Sequence, residues 1–294
     1  MLRKTVFINE QGVTIDEEWD DADHHPETLH FCAYQKGTAL GCGRVSPAES
    51  GQKIGRLAVL KANRQQGIGT RLLRHMLIHC FGYGASPITL HSQTHAVGWY
   101  TAFGFKPIGS VFLEAGIEHQ KMIFQQHQAL SAIYQDSVVR TTHIKQARAH
   151  ILNLLHECKH TISIISHDLQ SPVFQCTAFC TYASEVARRD RNSRVRILVK
   201  EPRLLSKGDH PLVLLSRRLP TKVELKIIDT ERSEFVSSFI NADNEGLAFL
   251  ENELKGTGFV NFSARAELRQ LMVDFEDIWG RYSHIDPNLR VINL

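Results

Sequence analysis

No stretch of the 294-residue chain holds the run of about 18 apolar residues that a membrane-spanning helix needs, so no membrane partner is expected. Cysteine is scarce: the six residues (Cys32, Cys42, Cys80, Cys158, Cys176 and Cys180) include no Cys-x-x-Cys pair. Free, mostly buried thiols are the plain reading of that usage. With no secretory signal pattern at the start, a reduced, cytoplasmic setting is the expectation. Cys176 and Cys180 stand one helical turn apart, but no paired His or Cys set accompanies them, and no metal is expected. An excess of one charge is also missing. Lys and Arg number 12 against 11 acidic residues in 1–126, and 22 against 20 in the remainder. Neither part has the basic surplus of a nucleic-acid binder. What remains is a chain with 43% apolar residues, long enough for two ordinary domains.

The most informative stretch is Lys53 to Cys80. A β-branched and leucine run, Ile54 to Leu60, breaks at Lys61-Ala62-Asn63 and leads into Arg64-Gln65-Gln66-Gly67-Ile68-Gly69, read as the first turn of a helix. A strand feeding a helix through a glycine-rich turn leaves backbone N–H groups pointing one way at the positive end of the helix dipole. Such a turn can cradle a phosphate. Gly67 and Gly69 permit close approach to the main chain, and Arg64 can add a charge-assisted contact. Leu72, Leu73, Met76 and Leu77 then recur at helical spacing. The spacing is not that of a P-loop, because Thr70-Arg71 follows the second glycine, and the three-glycine dinucleotide fingerprint is absent.

The pattern resembles the acetyl-CoA signature of the GNAT acyltransferase superfamily, Arg/Gln-x-x-Gly-x-Gly/Ala, matched by Arg64, Gly67 and Gly69. A second GNAT motif follows in order: a strand from Pro87 to Gln93, then Ala96, Trp99-Tyr100 and Gly104-Phe105, with Trp where the family has Phe. Earlier, Val6-Phe7 and Glu10-Gln11 resemble one bacterial branch of the superfamily. Glu114, Gly116, Ile117 and His119 match that branch's Glu-x-Gly-Ile-x-His pattern. The resemblance spans residues 6 to about 125. It departs at the start, where relatives carry a strand and most of a helix before the position of Val6. Either that strand is supplied otherwise or the start codon is internal; the expected consequence is an unpaired sheet edge that a homodimer could cover.

The resemblance implies an α/β fold with a GNAT-type mixed central sheet flanked by helices over residues 1–126, followed by a linker, 127–140. A second α/β domain is read over 141–294 from its alternating strands and helices. Its strands are placed at Thr161–Ser166, Val195–Val199 and Val223–Asp229, with a hairpin at Phe235–Ala242 and Leu247–Leu250. Its helices are placed near Ile144–Leu155, at Pro172–Arg189 and His210–Leu219, and last on the stripe Leu268 to Tyr282. This half faintly resembles part of a phospholipase D-like domain through strand order and Phe275-x-x-x-Trp279. Active members use His-x-Lys-x4-Asp; with Asp243 as the aspartate, the other two positions hold Val236 and Ser238. The domain is therefore read as a catalytically inactive relative, with an unrelated α/β domain as the alternative. His167-Asp168 and the cluster Arg188-Arg189-Asp190-Arg191 are read as a turn and a solvated helix end.

The family's activity implies acetyl-CoA as cosubstrate, no metal, and a small-molecule or protein amine as acceptor. Leu57, Ala58 and Val59 would pair with the pantetheine arm, and Arg64, Gln65, Gln66, Gly67, Ile68, Gly69 and Thr70 would form the pyrophosphate cradle. Tyr100 would be the general acid for the departing thiolate. No carboxylate stands on Ile54–Leu60, so the base is left among Glu10, His91, Glu114 and His119, of which Glu114 and His119 match the branch pattern. An acidic loop, Asp16 to Asp23, could favour a cationic amine or simply be solvated. A sensor or scaffold that binds acetyl-CoA without turnover, its second domain holding a partner or phosphate ligand, is the competing reading.

Overall fold

A computed structural model describes residues 1–84, 87–125, 130–134, 137–207, 210–229 and 237–290. The chain divides into Met1–Ile133 and Tyr134–Leu294. In the first unit a helical turn, Lys4–Glu10, precedes α1 (Ile15–Glu18), which Thr14 caps by accepting the Glu17 N–H at 3.3 Å. Strands β1 (Leu29–Gln35) and β2 (Thr38–Pro47) form the expected hairpin. Lys36 and Gly37 both take positive φ, as a tight two-residue hairpin turn requires. Then come β3 (Gln52–Val59), α2 (Ile68–Gly82), β4 (Ile88–Gln93), α3 (Val97–Ala102), β5 (Phe105–Pro107), β6 (Phe112–Glu114) and β7 (Ile117–Phe124).

The sheet runs β1-β2-β3-β4-β7-β5, with β6 also on β7. It is mixed, since β3 and β4 are parallel and the other pairs antiparallel. Among the described residues β1 pairs only with β2, so it forms an edge. Leu72, Leu73, Met76 and Leu77 of α2 are buried, as their spacing predicts. Each such side chain contributes about 1.5–3 kcal/mol by leaving water, which anchors the helix and hence the turn at its start. That helix begins at Ile68 and not at Arg64, because Gln65 and Gly67 sit at φ of +63° and +76°, outside the right-handed helical region.

The second unit follows α4 (Leu130–Tyr134) with β8 (Val138–Thr141), α5 (Ile144–Glu157), β9 (Thr161–Ser166), α6 (Thr177–Arg189), β10 (Arg194–Val199), α7 (Pro211–Arg218) and β11 (Val223–Ile228). It continues with β12 (Ser238–Ala242), β13 (Gly246–Asn252), β14 (Thr257–Asn261), α8 (Arg265–Arg281), β15 (Ser283–His284) and α9 (Pro287–Arg290). Its sheet runs β15-β11-β10-β9-β12-β13-β14-β8, parallel from β11 to β9 and antiparallel elsewhere. Alternate strand residues serve two cores: Ile164 and Ile197 pack with helices α5 to α7, while Ile165 and Leu198 pack with Leu268, Phe275 and Ile278 of α8.

Three sequence readings change here. The end of the stretch read as linker, 138–140, belongs to β8, which is hydrogen-bonded to β14, itself unmarked in the sequence because Gly258 interrupts it. The helix read from Pro172 begins at Thr177. The strand read from Phe235 is seen from Ser238; residues 230–236, Val236 included, lie outside the described residues.

Candidate active site

The site originates in a mismatch between neighbouring strands. β3 and β4 are paired only at Gln52–Ile88, Lys53–Thr89 and Ile54–Leu90. Beyond that point β4 stays with β7 and β3 stays with β2, so the two part. A bulge sharpens the divergence: the partner of Arg44 is Gly55, but the partner of Cys42 is Ala58. Arg56 absorbs the extra residue at φ +52°, a left-handed conformation that costs an L-residue about 1–2 kcal/mol. Between the parted strands lies a cleft of about 410 Å³.

One end of the cleft is the glycine turn. Leu57, Ala58, Val59, Arg64 and Gly69 line it. Gly67 caps α2 in the left-handed conformation, which glycine adopts without strain, and the first amides of the helix have no intrahelical acceptor. A methyl group placed on Gly69 would lie 3.7 Å from Val59 Cγ2 and 3.8 Å from Trp99 Cζ2, so the two sequence motifs meet here. Arg64 is anchored: Nε donates to the Val59 carbonyl at 3.0 Å and Nη2 pairs with Glu10 at 2.5 Å. Glu10 thus holds the turn and is not among the cleft-lining residues. Gln66 closes the turn through Nε2 to the Ala62 carbonyl, and Ile68 packs toward Gly41 of β2. Gln65, Gln66, Gly67, Ile68 and Thr70 are therefore turn and helix-start residues outside the cleft lining.

Tyr100 lines the middle of the cleft, edge-on to Trp99 and Phe105. Burial pushes its phenol above the usual range, so it stays protonated at neutral pH. At the far end His91, Glu114 and His119 come together. His91 Nδ1 lies 2.7 Å from Glu114 Oε2, and His119 Nδ1 lies 2.9 Å from the Ile117 carbonyl. Both partners are acceptors, so each Nδ1 donates, and in the neutral form of either ring Nε2 is the acceptor. The hydrogen bond from His91 overcomes the effect of burial and, with Lys53 and His119 nearby, holds the Glu114 carboxyl down to about 2. So weak a base orients an imidazole better than it removes a proton from an amine.

The acidic loop is divided: Asp16, Glu17 and Asp21 are exposed, while Glu18, Asp20 and Asp23 are engaged in ion pairs. Glu18 accepts from Arg3 and pairs with Arg56; Asp23 takes Arg3 at 2.5 Å and Arg44 at 2.7 Å; Asp20 takes Arg44 at 2.5 Å and Arg56 at 3.1 Å. Three of the loop's six carboxylates thus meet three guanidiniums.

A profile of the acetyltransferase (GNAT) domain matches residues 6–125. The Bacillus subtilis (strain 168) protein BSU40680, which bears the name putative acetyltransferase, is 33% identical over 130 residues, covering 44% of this chain and 88% of that protein. This chain belongs to the GNAT family. The N-acetyltransferase YjcF of the same organism is 32% identical over 123 residues, 42% of this chain and 86% of its own length. A crystal structure of a Pseudomonas aeruginosa acyl-CoA N-acyltransferase is 30% identical, covers 42% of this chain and 85% of that one, and superposes with a TM-score of 0.40. Residues 143–292 match a domain of unknown function, DUF7931, to which the chain also belongs.

The GNAT domain is an acyltransferase domain whose family uses an acyl-CoA cosubstrate and an amine acceptor. Its open strand edge beside a glycine turn fits a group with an extended arm and a pyrophosphate. Sequence reasoning did not single out Lys53 or Gly55, which also line the cleft. In the DUF7931 domain Asp243 accepts the backbone N–H groups of Lys159, His160 and Thr161 at 2.6 to 2.8 Å. It is a brace for the start of β9. His167 and Asp168 stand 3.7 Å apart in an exposed turn. Arg189 donates to the Cys158 carbonyl, and Asp190 accepts from Asn192 and Ser193, so the basic cluster is largely a helix ending. No group of three His, Cys, Asp or Glu arranged for a metal occurs among the described residues, nor a helix long and apolar enough to cross a membrane.

Proposed function

We propose that the GNAT domain transfers an acetyl group from acetyl-CoA to a primary amine. The observation that carries this reading is the single cleft between β3 and β4, with the glycine turn at one end and two imidazoles of fixed tautomer at the other. Acetyl-CoA, when bound, supplies an activated thioester carbonyl. The unpaired edge of β3 around Leu57 to Val59 would hold the pantetheine arm as an added strand and place a backbone N–H on that carbonyl, an interaction worth about 3–4 kcal/mol in comparable sites. The turn from Arg64 to Thr70 would hold the pyrophosphate on backbone N–H groups.

Nε2 of His119 or His91 accepts a proton from the amine as its nitrogen bonds to the acetyl carbon. Tyr100 donates its phenolic proton to the sulfur as the carbon–sulfur bond breaks. Glu114 is a positioning residue that fixes the His91 ring. The DUF7931 domain is proposed to be non-catalytic; the commitment of Asp243 to three amides supports this over any role in chemistry.

The test is calorimetric titration of the full-length chain with acetyl-CoA, beside Gly69→Glu. The Gly69 site admits a Cβ without backbone strain, so the variant should fold while its carboxylate repels the pyrophosphate. Parent binding that disappears in the variant, together with acetyl transfer to an amine, supports the enzyme. Binding without transfer to any amine would favour a sensor, and no binding would overturn both.

A further inference from the structure

Four cations line the cleft: Arg44, Lys53, Arg56 and Arg64. The three arginines are each paired with carboxylates of Glu10, Glu18, Asp20 or Asp23. Lys53 differs from them. Its Nζ has one hydrogen-bond-range neighbour among the described side chains, His91 Nδ1 at 3.2 Å. That nitrogen cannot accept from it, because the 2.7 Å contact to Glu114 requires the Nδ1 proton. The ammonium is thus half-buried in the cleft wall with protons to offer; Glu114 acts on it through space, but among the described residues no carboxylate lies within 4 Å of it, so a ligand anion could take those protons directly.

The position of Lys53 separates it from the cradle. It stands six residues of strand before Val59, roughly 20 Å at 3.3 Å per residue, so a pyrophosphate at the glycine turn does not reach it. Gly55, two residues on, is a second and independent sign. Its φ is ordinary for any residue, and a Cβ there would meet nothing within 4 Å. Neither backbone strain nor packing within the protein calls for glycine at this point. What its missing side chain does provide is room in the cleft between Lys53 and the stretch Leu57–Val59.

We infer that the acceptor is a zwitterionic amine of the amino-acid class, its carboxylate held by Lys53 and its amine directed to the imidazole of His91 or His119. This rests on the acetyltransferase reading above. In an α-amino acid the two groups hang from one carbon, and Lys53 stands beside the ring of His91, so the spans correspond. Charge argues the same way. A polyamine would bring further ammonium groups to a wall whose Glu18, Asp20 and Asp23 are already paired with arginines.

The experiment uses the full-length chain saturated with acetyl-CoA or CoA, the common L-amino acids, their carboxamides, and spermidine. Steady-state acetylation and calorimetric binding are measured for the parent, Lys53→Met and Lys53→Arg. The parent should prefer an amino acid over its carboxamide at least tenfold in kcat/KM, mostly through KM. Lys53→Met should erase the preference, Lys53→Arg should keep most of it, and both should bind acetyl-CoA like the parent. Gly55→Val should raise the KM for the amino acid at least tenfold without weakening acetyl-CoA.

Carboxamides or spermidine acetylated as well as amino acids, or a preference that survives in Lys53→Met, would overturn the inference and leave the acetyltransferase reading standing. Lys53-dependent amino-acid binding to the CoA-loaded protein without any transfer would instead support the carboxylate site and overturn the acetyltransferase reading.

Discussion

Replacing Asp23 by asparagine puts the ion cluster to a quantitative test. The Asp23 carboxylate is almost fully buried between Arg3, at 2.5 Å, and Arg44, at 2.7 Å, whose own side chains are 9% and 6% exposed. Asparagine preserves the size but removes the charge facing two buried guanidiniums. Breaking a buried pair in this way costs about 3–5 kcal/mol, against about 5–15 kcal/mol for the whole stability of a domain. For a unit of this size that corresponds to a fall of about 10–15 °C in Tm. The pH dependence has a definite sign. Burial would raise the Asp23 carboxyl, but hydrogen bonds from Arg3 and Arg44 outweigh it and leave the group well below its usual range. A carboxyl depressed in the folded state adds stability in full above its unfolded value, about 3.9, and loses it as pH falls toward the folded value. The gap between parent and variant should therefore be widest near neutrality and narrow in acid. Glu18, which burial raises, acts oppositely: its contribution is present at low pH and lost as pH rises through its folded value. Scanning calorimetry of both proteins from neutral pH to about pH 3 would show this, with the exposed Asp16→Asn as control. A variant Tm within about 2 °C of the parent at neutral pH, the range of ordinary surface substitutions, would refute the reasoning.

Tyr100→Phe should lower kcat about 100-fold while leaving acetyl-CoA affinity unchanged, as expected for removal of a general acid; calorimetry beside steady-state kinetics separates the two. Glu114 stays ionised to about pH 2, so glutamine at this position keeps the size but removes the charged acceptor of His91 Nδ1. Glu114→Gln should lower kcat/KM by about tenfold or more with acetyl-CoA affinity unchanged, and a kcat/KM equal to the parent's would exclude a Glu114-positioned His91 from the chemistry. Asp243→Ala should destabilise the DUF7931 domain by about 2–3 kcal/mol in denaturant unfolding through loss of charge-assisted bonds to three amides, with acetyl-CoA binding unaffected.

The features legible in the sequence were those carried by local spacing. Gly67, Gly69 and the leucines of α2 betray themselves by position alone, and so does the Lys36-Gly37 hairpin. Tyr100 was reached because its motif lies at a set distance beyond the first. The cleft's polar end was harder, because Lys53, His91 and Glu114 come from three strands and meet only through sheet register. The acidic loop misled for a related reason: its partners Arg3, Arg44 and Arg56 are scattered over more than fifty positions, and nothing local distinguishes a neutralised carboxylate from a solvated one. Strands β8 and β14 escaped because one follows a stretch with few apolar residues and the other is broken by Gly258.

Arg56 connects these observations. It is the residue that the bulge forces into the left-handed region, and its guanidinium donates to the Glu17 and Glu18 carbonyls and to the Asp20 carboxylate at 2.9 to 3.1 Å. The strain of the bulge is thus offset by bonds to the acidic loop. The bulge in turn lets β3 leave β4 after Ile54, opening the cleft at Gly55. The loop acts as a buttress for β3, and Glu18, Asp20 and Asp23 are spent on that structural task. With Glu18 and Asp23 committed to arginines of the wall and Lys53 lining the cleft beside His91, the proposed selection of amines by their carboxylate would follow from the same bulge that opens the cleft.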